Sequence, residues 1–307
     1  MQITHRLLMI RPRQFGFNTE TAVNNFFQND QGQPDVIHQL ALIEFDSMVE
    51  KIQSQGIDVM VVDDGPDPAT PDSIFPNNWF STHEGGILVL YPLFAQNRRL
   101  ERKPAVLNAL KEKYSVDRQL DLTEYETSGY FLEGTGSVVL DRTHRIAYAV
   151  ISPRTHLEPL SHFCEQQQYI PMVFRAVDSV GRPLYHTNVV MSVADRYVVV
   201  CLESIPDQTE RTFLIETIQR SGKVIIPINY EQLNRFAGNL LQVHNDKGEK
   251  FLIGSSGAFA SLGSEQLDAL KSFNELLEVD IPTIESVGGG SARCMLAEIF
   301  LTQNRST

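Results

Sequence analysis

Two short apolar runs around a polar turn recur four times along the chain at a nearly constant interval, and this repeat limits the folds open to it. Asn78-Trp79-Phe80-Ser81 leads through a turn into Ile87-Leu88-Val89-Leu90-Tyr91. Gly136-Ser137-Val138-Val139-Leu140 leads into Ile146-Ala147-Tyr148-Ala149-Val150, and Asn188-Val189-Val190-Met191-Ser192 into Tyr197-Val198-Val199-Val200. Asn239-Leu240-Leu241-Gln242-Val243 leads into Phe251-Leu252-Ile253. Each pair reads as a β-hairpin. The starting points, 78, 136, 188 and 239, are 58, 52 and 51 residues apart.

A helix-like segment and one more strand follow each hairpin. Examples are Arg211 to Gln219 then Val224-Ile225-Ile226, and Glu265 to Leu277 then Ile281. One further step lands on Arg293-Cys294-Met295-Leu296. That last unit needs a partner strand, and the run Leu7-Leu8-Met9-Ile10 can supply it, with a helix over Val36 to Gln53 and a strand over Ile57 to Val62 behind it. A period of this length points to a closed radial array. The expected fold is α/β: one domain over residues 1–307, a five-fold pseudosymmetric α/β propeller of ββαβ units.

In such a ring the start of each unit faces one centre. Asn77-Asn78, Glu133-Gly134, His186-Thr187-Asn188, Asn239 and Cys294 would meet there. A cysteine, a histidine and a glutamate at equivalent points form a set for covalent catalysis. Cys294 follows Gly288-Gly289-Gly290, whose backbone N–H groups could form an anion-binding nest. Arg293 beside it is a cation that would favour the thiolate, the nucleophilic form. Each residue also has a plainer reading: Cys294 as a small buried thiol, His186 as a hydrogen-bonded core histidine, Glu133 as a carboxylate emerging from a strand end. Gly134 and Gly136 suggest a phosphate loop only weakly, since neither GK[ST] nor GxGxxG is present. No HExxH or paired Cys/His spacing marks a zinc site.

Composition narrows the classes further. A net charge of −12 disfavours a nucleic-acid partner. The basic cluster Arg98-Arg99-Leu100-Glu101-Arg102-Lys103 reads as a solvated face. Three widely spaced cysteines, Cys164, Cys201 and Cys294, do not make a disulfide framework. No apolar run reaches the ~18 residues of a membrane span, and the first residues lack a secretory h-region. A cytoplasmic location is expected, with no membrane partner.

Three motifs carry a family resemblance. Phe131-Leu132-Glu133-Gly134-Thr135-Gly136, Tyr185-His186-Thr187-Asn188 and Gly289-Gly290-Ser291-Ala292-Arg293-Cys294 resemble the Glu, His and Cys motifs of the pentein superfamily of guanidino-group-modifying enzymes. That superfamily includes arginine deiminases, dimethylarginine hydrolases and amidinotransferases. Ile10-Arg11-Pro12, Phe15-Gly16-Phe17-Asn18 and Pro71-Asp72-Ser73-Ile74-Phe75-Pro76-Asn77-Asn78-Trp79 are similar to the branch described as citrulline utilization hydrolases. The resemblance spans essentially the whole chain.

It implies a pentein propeller and a small amino-acid substrate, with no metal or organic cofactor. It implies Cys294 as nucleophile, His186 as general acid/base, and Glu133 as the carboxylate orienting the substrate's N–H groups. Asp72 would contact substrate, and Arg98 (or Arg99) and Arg154 would grip its carboxylate. The arginine deiminases carry an aspartate in the motif matching Asn77-Asn78 and another two positions after the histidine. Asn78 and Asn188 stand there in this chain. Carboxylates suit a guanidinium, whereas an amide can donate to the carbonyl of a neutral ureido group. Citrulline is therefore expected over arginine, giving ornithine, carbon dioxide and ammonia. Arginine deiminase, methylarginine hydrolase and amidinotransferase activities remain alternatives, as does a non-catalytic binding module such as the translation factor that shares the fold. A homo-oligomer is possible, and the sequence does not give the oligomeric state.

Overall fold

The computed structural model describes residues 1–30, 32–65 and 67–304. Its strands, in chain order, are β1 (Arg6–Arg11), β2 (Asp58–Asp63), β3 (Phe80–His83), β4 (Ile87–Leu90), β5 (Arg118–Asp121), β6 (Val138–Asp141), β7 (Ile146–Val150) and β8 (Ile170–Phe174). They continue as β9 (Met191–Val193), β10 (Tyr197–Val200), β11 (Val224–Pro227), β12 (Leu241–His244), β13 (Lys250–Ser255), β14 (Glu275–Val279) and β15 (Ala297–Glu298). They form five three-stranded sheets, ordered β3-β4-β5, β6-β7-β8, β9-β10-β11, β12-β13-β14 and β15-β1-β2. In each, an antiparallel pair is joined by a parallel third strand. The crossover between the parallel strands carries a helix: Pro34–Ser54, Pro104–Lys113, Leu157–Gln167, Gln208–Arg220 or Ser264–Lys271. The repeat read from the sequence is therefore a repeat of ββαβ units.

Middle strands are the continuous apolar runs because both their faces are covered. Tyr197 to Val200 are all fully buried. The crossover helices cover one face with residues spaced at three and four; Pro34–Ser54 buries Ile37, Ala41, Phe45, Met48 and Ile52.

The fifth sheet joins the two ends of the chain. Leu7 pairs with Glu298 and Leu8 with Ala297 on one side of β1, while Arg6 to Arg11 run parallel to Asp58 to Asp63 on the other. Successive β1 side chains enter different cores. Leu7 and Met9 pack with Phe45, Val243 and Ile253, and Leu8 and Ile10 with Trp79, Leu88 and Leu110. The units' first turns also touch in succession. Pro76–Asn78 meets Gly134–Ser137, which meets Thr187–Val190; Asn239 bonds both Asn188 and Arg293, and Ala292–Met295 returns to Pro76–Asn78.

Several expectations are corrected. The runs beginning at Gly136 and Asn188 do not start as strands: Gly134–Ser137 and Thr187–Val190 are single helical turns, and pairing begins only at Val138 and Met191. The helix expected from Glu265 to Leu277 ends at Lys271, and Glu275–Val279 is the third strand, paired to β13. Tertiary pairing overrides the helical propensity of the Glu and Leu residues there. The cluster at 98–103 is not a solvated face: Arg98, Glu101 and Lys103 are buried. A 3-10 turn over Asn97–Glu101 brings Arg98 and Glu101 to the same side, and Lys103 bonds Asp64 at 2.5 Å.

Because Leu8 is fully buried on the strand that joins both ends, Leu8→Ala should cost about 2–5 kcal/mol of stability, read by equilibrium urea unfolding. A loss below ~1 kcal/mol would mean that β1 is not part of the core.

Candidate active site

Cys294 sits in the turn Ala292–Met295, immediately before β15. The three glycines ahead of it pack closely against Phe75, Gln28 and Asn25. The Gly289 N–H already donates to the Glu285 carbonyl, and a Cβ on Gly288 would stand 2.8 Å from the Phe75 ring. Gly289 has φ +62°, the left-handed region that favours glycine. Its carbonyl accepts the Tyr185 hydroxyl at 2.5 Å. The hydrogen bonds of Arg293 go elsewhere than the thiol. Its guanidinium donates to Glu298 at 2.9 Å and to the Leu296 carbonyl at 2.8 Å.

Two amides face the sulfur instead. Asn188 Nδ2 lies 3.4 Å and Asn239 Nδ2 3.3 Å from Sγ. The Asn239 amide is oriented by its other end, where Oδ1 accepts the Arg293 backbone N–H at 3.1 Å.

His186 and Glu133 come from two other units. The Glu133 carboxylate is fully buried and takes the His186 Nε2–H at 2.8 Å, Arg154 Nη1 at 3.4 Å and the Phe94 backbone N–H at 3.0 Å. Burial pushes the Glu133 carboxyl up, but Arg154, the His186 hydrogen bond and Arg98 outweigh it and hold it below the usual carboxylate range. His186 is pushed down to about 4 by burial, against the pull of Glu133. With Nε2–H committed to Glu133, Nδ1 is the free proton acceptor.

Asp72, Asn78, Arg98, Arg154, His186 and Cys294 all line one cavity, together with Thr21, Phe75 and Tyr185. Only about 10 Å³ of it is open to water, and Thr21 and Asn25 form part of its wall. Asp72 accepts from Asn18 and Thr21 on Oδ2, and Oδ1 has no partner among the described residues. Burial pushes the Asp72 carboxyl up, against Arg98 and the Asn18 bond.

Both candidate carboxylate-gripping arginines are already engaged. Arg98 turns its fork to Glu101, with Nε at 2.8 Å and Nη2 at 2.9 Å, and gives Nη1 to Asn78 Oδ1 at 2.7 Å. Arg154 bonds Asn24 and the Thr21 carbonyl and stacks on Tyr185. Arg99 points elsewhere, to the Leu93 carbonyl and Glu126. Asn77 bonds Thr135 and Asn78, and so supports the site without lining the cavity.

Asn18, Thr21, Glu101 and Tyr185 were given no role from the sequence. Glu101 was hidden in the basic cluster, where its spacing of three from Arg98 was the available signal. Asn18 stands out in the sequence only as the end of the Phe15-Gly16-Phe17-Asn18 motif, and Asn24 and Asn25 carry no signal of their own.

Gly136 is fixed by its neighbours: a Cβ there would stand 2.5 Å from Asn78 Nδ2 and 2.8 Å from the His186 ring. It makes room for two site residues and does not form a phosphate loop. Gly136→Ala should fold but lose about 10²-fold in kcat/KM on a ureido or guanidino amino acid, because His186 must shift. Wild-type kcat/KM in that variant would show that the close approach is unimportant.

Comparison with known proteins agrees with this architecture. The structure of ArgZ, an arginine dihydrolase from the ornithine-ammonia cycle in Cyanobacteria, superposes with a TM-score of 0.75 at 16% identity, covering 98% of this chain and 41% of that one. A ternary complex of AgrE with ornithine and NAD+ gives 0.74 at 17% identity, covering 97% and 39%. The present chain thus spans about two fifths of those longer proteins. DDAH from Pseudomonas aeruginosa, a cysteine-to-serine mutant complexed with citrulline, gives 0.68 at 13% identity, covering 97% and 100%. Comparison with curated proteins finds no match. A family model described as N,N dimethylarginine dimethylhydrolase, eukaryotic, matches residues 11–301, and the chain belongs to that family, within the pentein superfamily of guanidino-modifying enzymes.

Proposed function

We propose that this chain is a cysteine-dependent hydrolase cleaving a C–N bond of a ureido or guanidino amino acid, with citrulline favoured, and that its five units close into a propeller around the site. The orientation of Asn78 supports the substrate reading best. A guanidinium only donates hydrogen bonds, so the Asn78 atom 2.7 Å from Arg98 Nη1 is its carbonyl oxygen. The Asn78 NH₂ is thereby turned the other way; one N–H goes to Asn77 Oδ1, and the second, without a partner among the described residues, can donate to the carbonyl of a ureido group. A guanidinium would meet that N–H donor with donors of its own.

In the reaction, Cys294 gives its proton to His186 Nδ1 and attacks the ureido carbon. The Asn188 and Asn239 amides donate to sulfur while it carries charge. His186 passes the proton to the leaving δ-nitrogen, and ornithine departs. Water then attacks the S-carbamoyl carbon, its proton goes to His186, and the C–S pair returns to Sγ. The carbamic acid released splits into ammonia and carbon dioxide. Glu133 holds the His186 tautomer throughout, and Asp72 Oδ1 is free to accept a substrate N–H.

A second reading is favoured by the Asp72 carboxylate, which lines the same cavity, has no partner on Oδ1 among the described residues and suits a guanidinium. Arginine would then be hydrolysed in two steps, with a ureido product processed in place. The arginine-dihydrolase label of the ArgZ structure fits this reading.

Comparative kinetics decide between them. Wild type should make ornithine from citrulline faster than it converts arginine, and Asn78→Asp should reverse that preference. Cys294→Ser should bind substrate but turn it over at least ~10³-fold more slowly. Faster arginine conversion by wild type would make the dihydrolase reading correct.

The pH profile checks the role of His186. Its neutral form is the base, and the folded pKa lies at about 4, below the ordinary 6.5. Protonation therefore removes activity only as pH falls through about 4, and kcat/KM should stay level from there to neutrality. An acid limb centred near 6.5 would contradict the assignment.

A further inference from the structure

We propose that Glu101 sets the preference of the site for a ureido group, acting through Arg98 to hold the Asn78 amide in one orientation. The inference rests on the substrate reading proposed above and adds to it a positioning residue that touches no substrate. Glu101 is buried and does not line the cavity of Cys294 and His186. Its carboxylate has one partner among the described residues, the Arg98 guanidinium, with Nε at 2.8 Å and Nη2 at 2.9 Å. The two side chains meet because the 3-10 turn over Asn97–Glu101 brings positions three apart onto one side.

A buried ion pair is a weak source of stability, since both charges lose their hydration. What this pair fixes is geometry. The two-point fork leaves the planar guanidinium little freedom to rotate. Nη1 is thereby directed to Asn78 Oδ1 at 2.7 Å, and the hydrogen bonds continue in one direction. Asn78 Nδ2 donates to Asn77 Oδ1 at 3.1 Å, and Asn77 Nδ2 to Thr135 Oγ1 at 3.2 Å. Turning the Asn78 amide over would set its NH₂ against the Arg98 N–H and its oxygen against Asn77 Oδ1, two meetings of like groups. While Glu101 holds Arg98, an Asn78 N–H stays available to a ureido carbonyl.

Two other carboxylates compete for the same arginine. Asp72 Oδ2 lies 3.7 Å from Arg98 Nε, and Glu133 Oε2 4.0 Å from Nη1. Without the Glu101 charge, the guanidinium turns toward Asp72. The Asp72 charge is then offset, which weakens its hold on an N–H of either substrate. Nη1 also leaves Asn78, whose amide is free to turn over and present its oxygen to the cavity. A ureido carbonyl meets that oxygen as a like group, whereas a guanidinium N–H donates to it. The ureido substrate therefore loses more than the guanidino substrate.

The test uses Glu101→Gln, nearly isosteric but with a single acceptor oxygen, and Glu101→Asp, which keeps the charge and draws it back by one methylene. Both are checked for folding by their melting transitions and assayed for kcat/KM on citrulline and on arginine, alone and in an Asn78→Asp background. Glu101→Gln should lower the citrulline-to-arginine ratio of kcat/KM about tenfold, with Glu101→Asp between it and wild type. In the Asn78→Asp background no amide is left to turn over, and Glu101→Gln should move the ratio by less than about twofold. A purely structural role would lower both substrates alike in either background. An unchanged ratio in a folded variant, or the same shift in both backgrounds, overturns the role of Glu101. If Glu101→Gln does not fold, Glu101→Asp decides by the same criteria. A wild type faster on arginine overturns the citrulline preference alone, and the shift in ratio still decides on Glu101. A wild type inactive on both substrates overturns the proposed function and this inference with it.

Discussion

A fully buried carboxylate, Glu133, is the constraint around which the centre of this protein is arranged. An unpaired charge in that position would be very costly, so the fold must supply partners from several directions. It does so with Arg154, His186 and the Phe94 N–H, and with Arg98 at 4.0 Å. These partners come from three repeats: Phe94 and Arg98 lie in the β3-β4-β5 unit, Arg154 in the β6-β7-β8 unit that carries Glu133 itself, and His186 at the start of the β9-β10-β11 unit. Once they converge, the imidazole is fixed in one tautomer and the two guanidinium groups are immobilised. The arginines that a sequence reading assigns to substrate binding are thus also internal supports. Arg98 and Arg154 hold Asn78, Glu101, Asn24 and the Thr21 carbonyl, and through these groups they set the shape of the cavity.

Much of this was legible in the residues. Middle strands such as Tyr197 to Val200 announce themselves because burial on both faces demands an unbroken apolar run. The interval between hairpins carried the repeat, and the incomplete last unit pointed to β1. Glu133, His186 and Cys294 were readable because each stands at the same point of its unit. Other features depend on contacts across units, which no local pattern encodes. Glu275–Val279 looks helical until β13 lies beside it. Arg98 and Glu101 look solvated until a 3-10 turn faces them inward. Gly136 looks like part of a phosphate loop until Asn78 and His186 take the space its missing side chain leaves.

The sulfur's surroundings show the same limit. The adjacent cation, Arg293, is turned away to Glu298, and the thiol is met by the amides of Asn188 and Asn239, 106 and 55 residues earlier in the chain. Sequence adjacency was the wrong measure of proximity. Position within the repeat was the better one, since Asn188 and Asn239 open their own units.

The pairing of β1 with β15 also has a consequence during synthesis. Leu7 must wait for Glu298, 291 residues later, before its sheet is complete. At typical bacterial or eukaryotic elongation of about 5–20 residues per second, that wait is roughly 15–60 seconds. Cys294 emerges with the strand that ends it, only three residues ahead of Ala297. A nascent chain thus holds His186 and Glu133 long before it holds Cys294. The candidate site and the last seam of the fold are finished in the same moment.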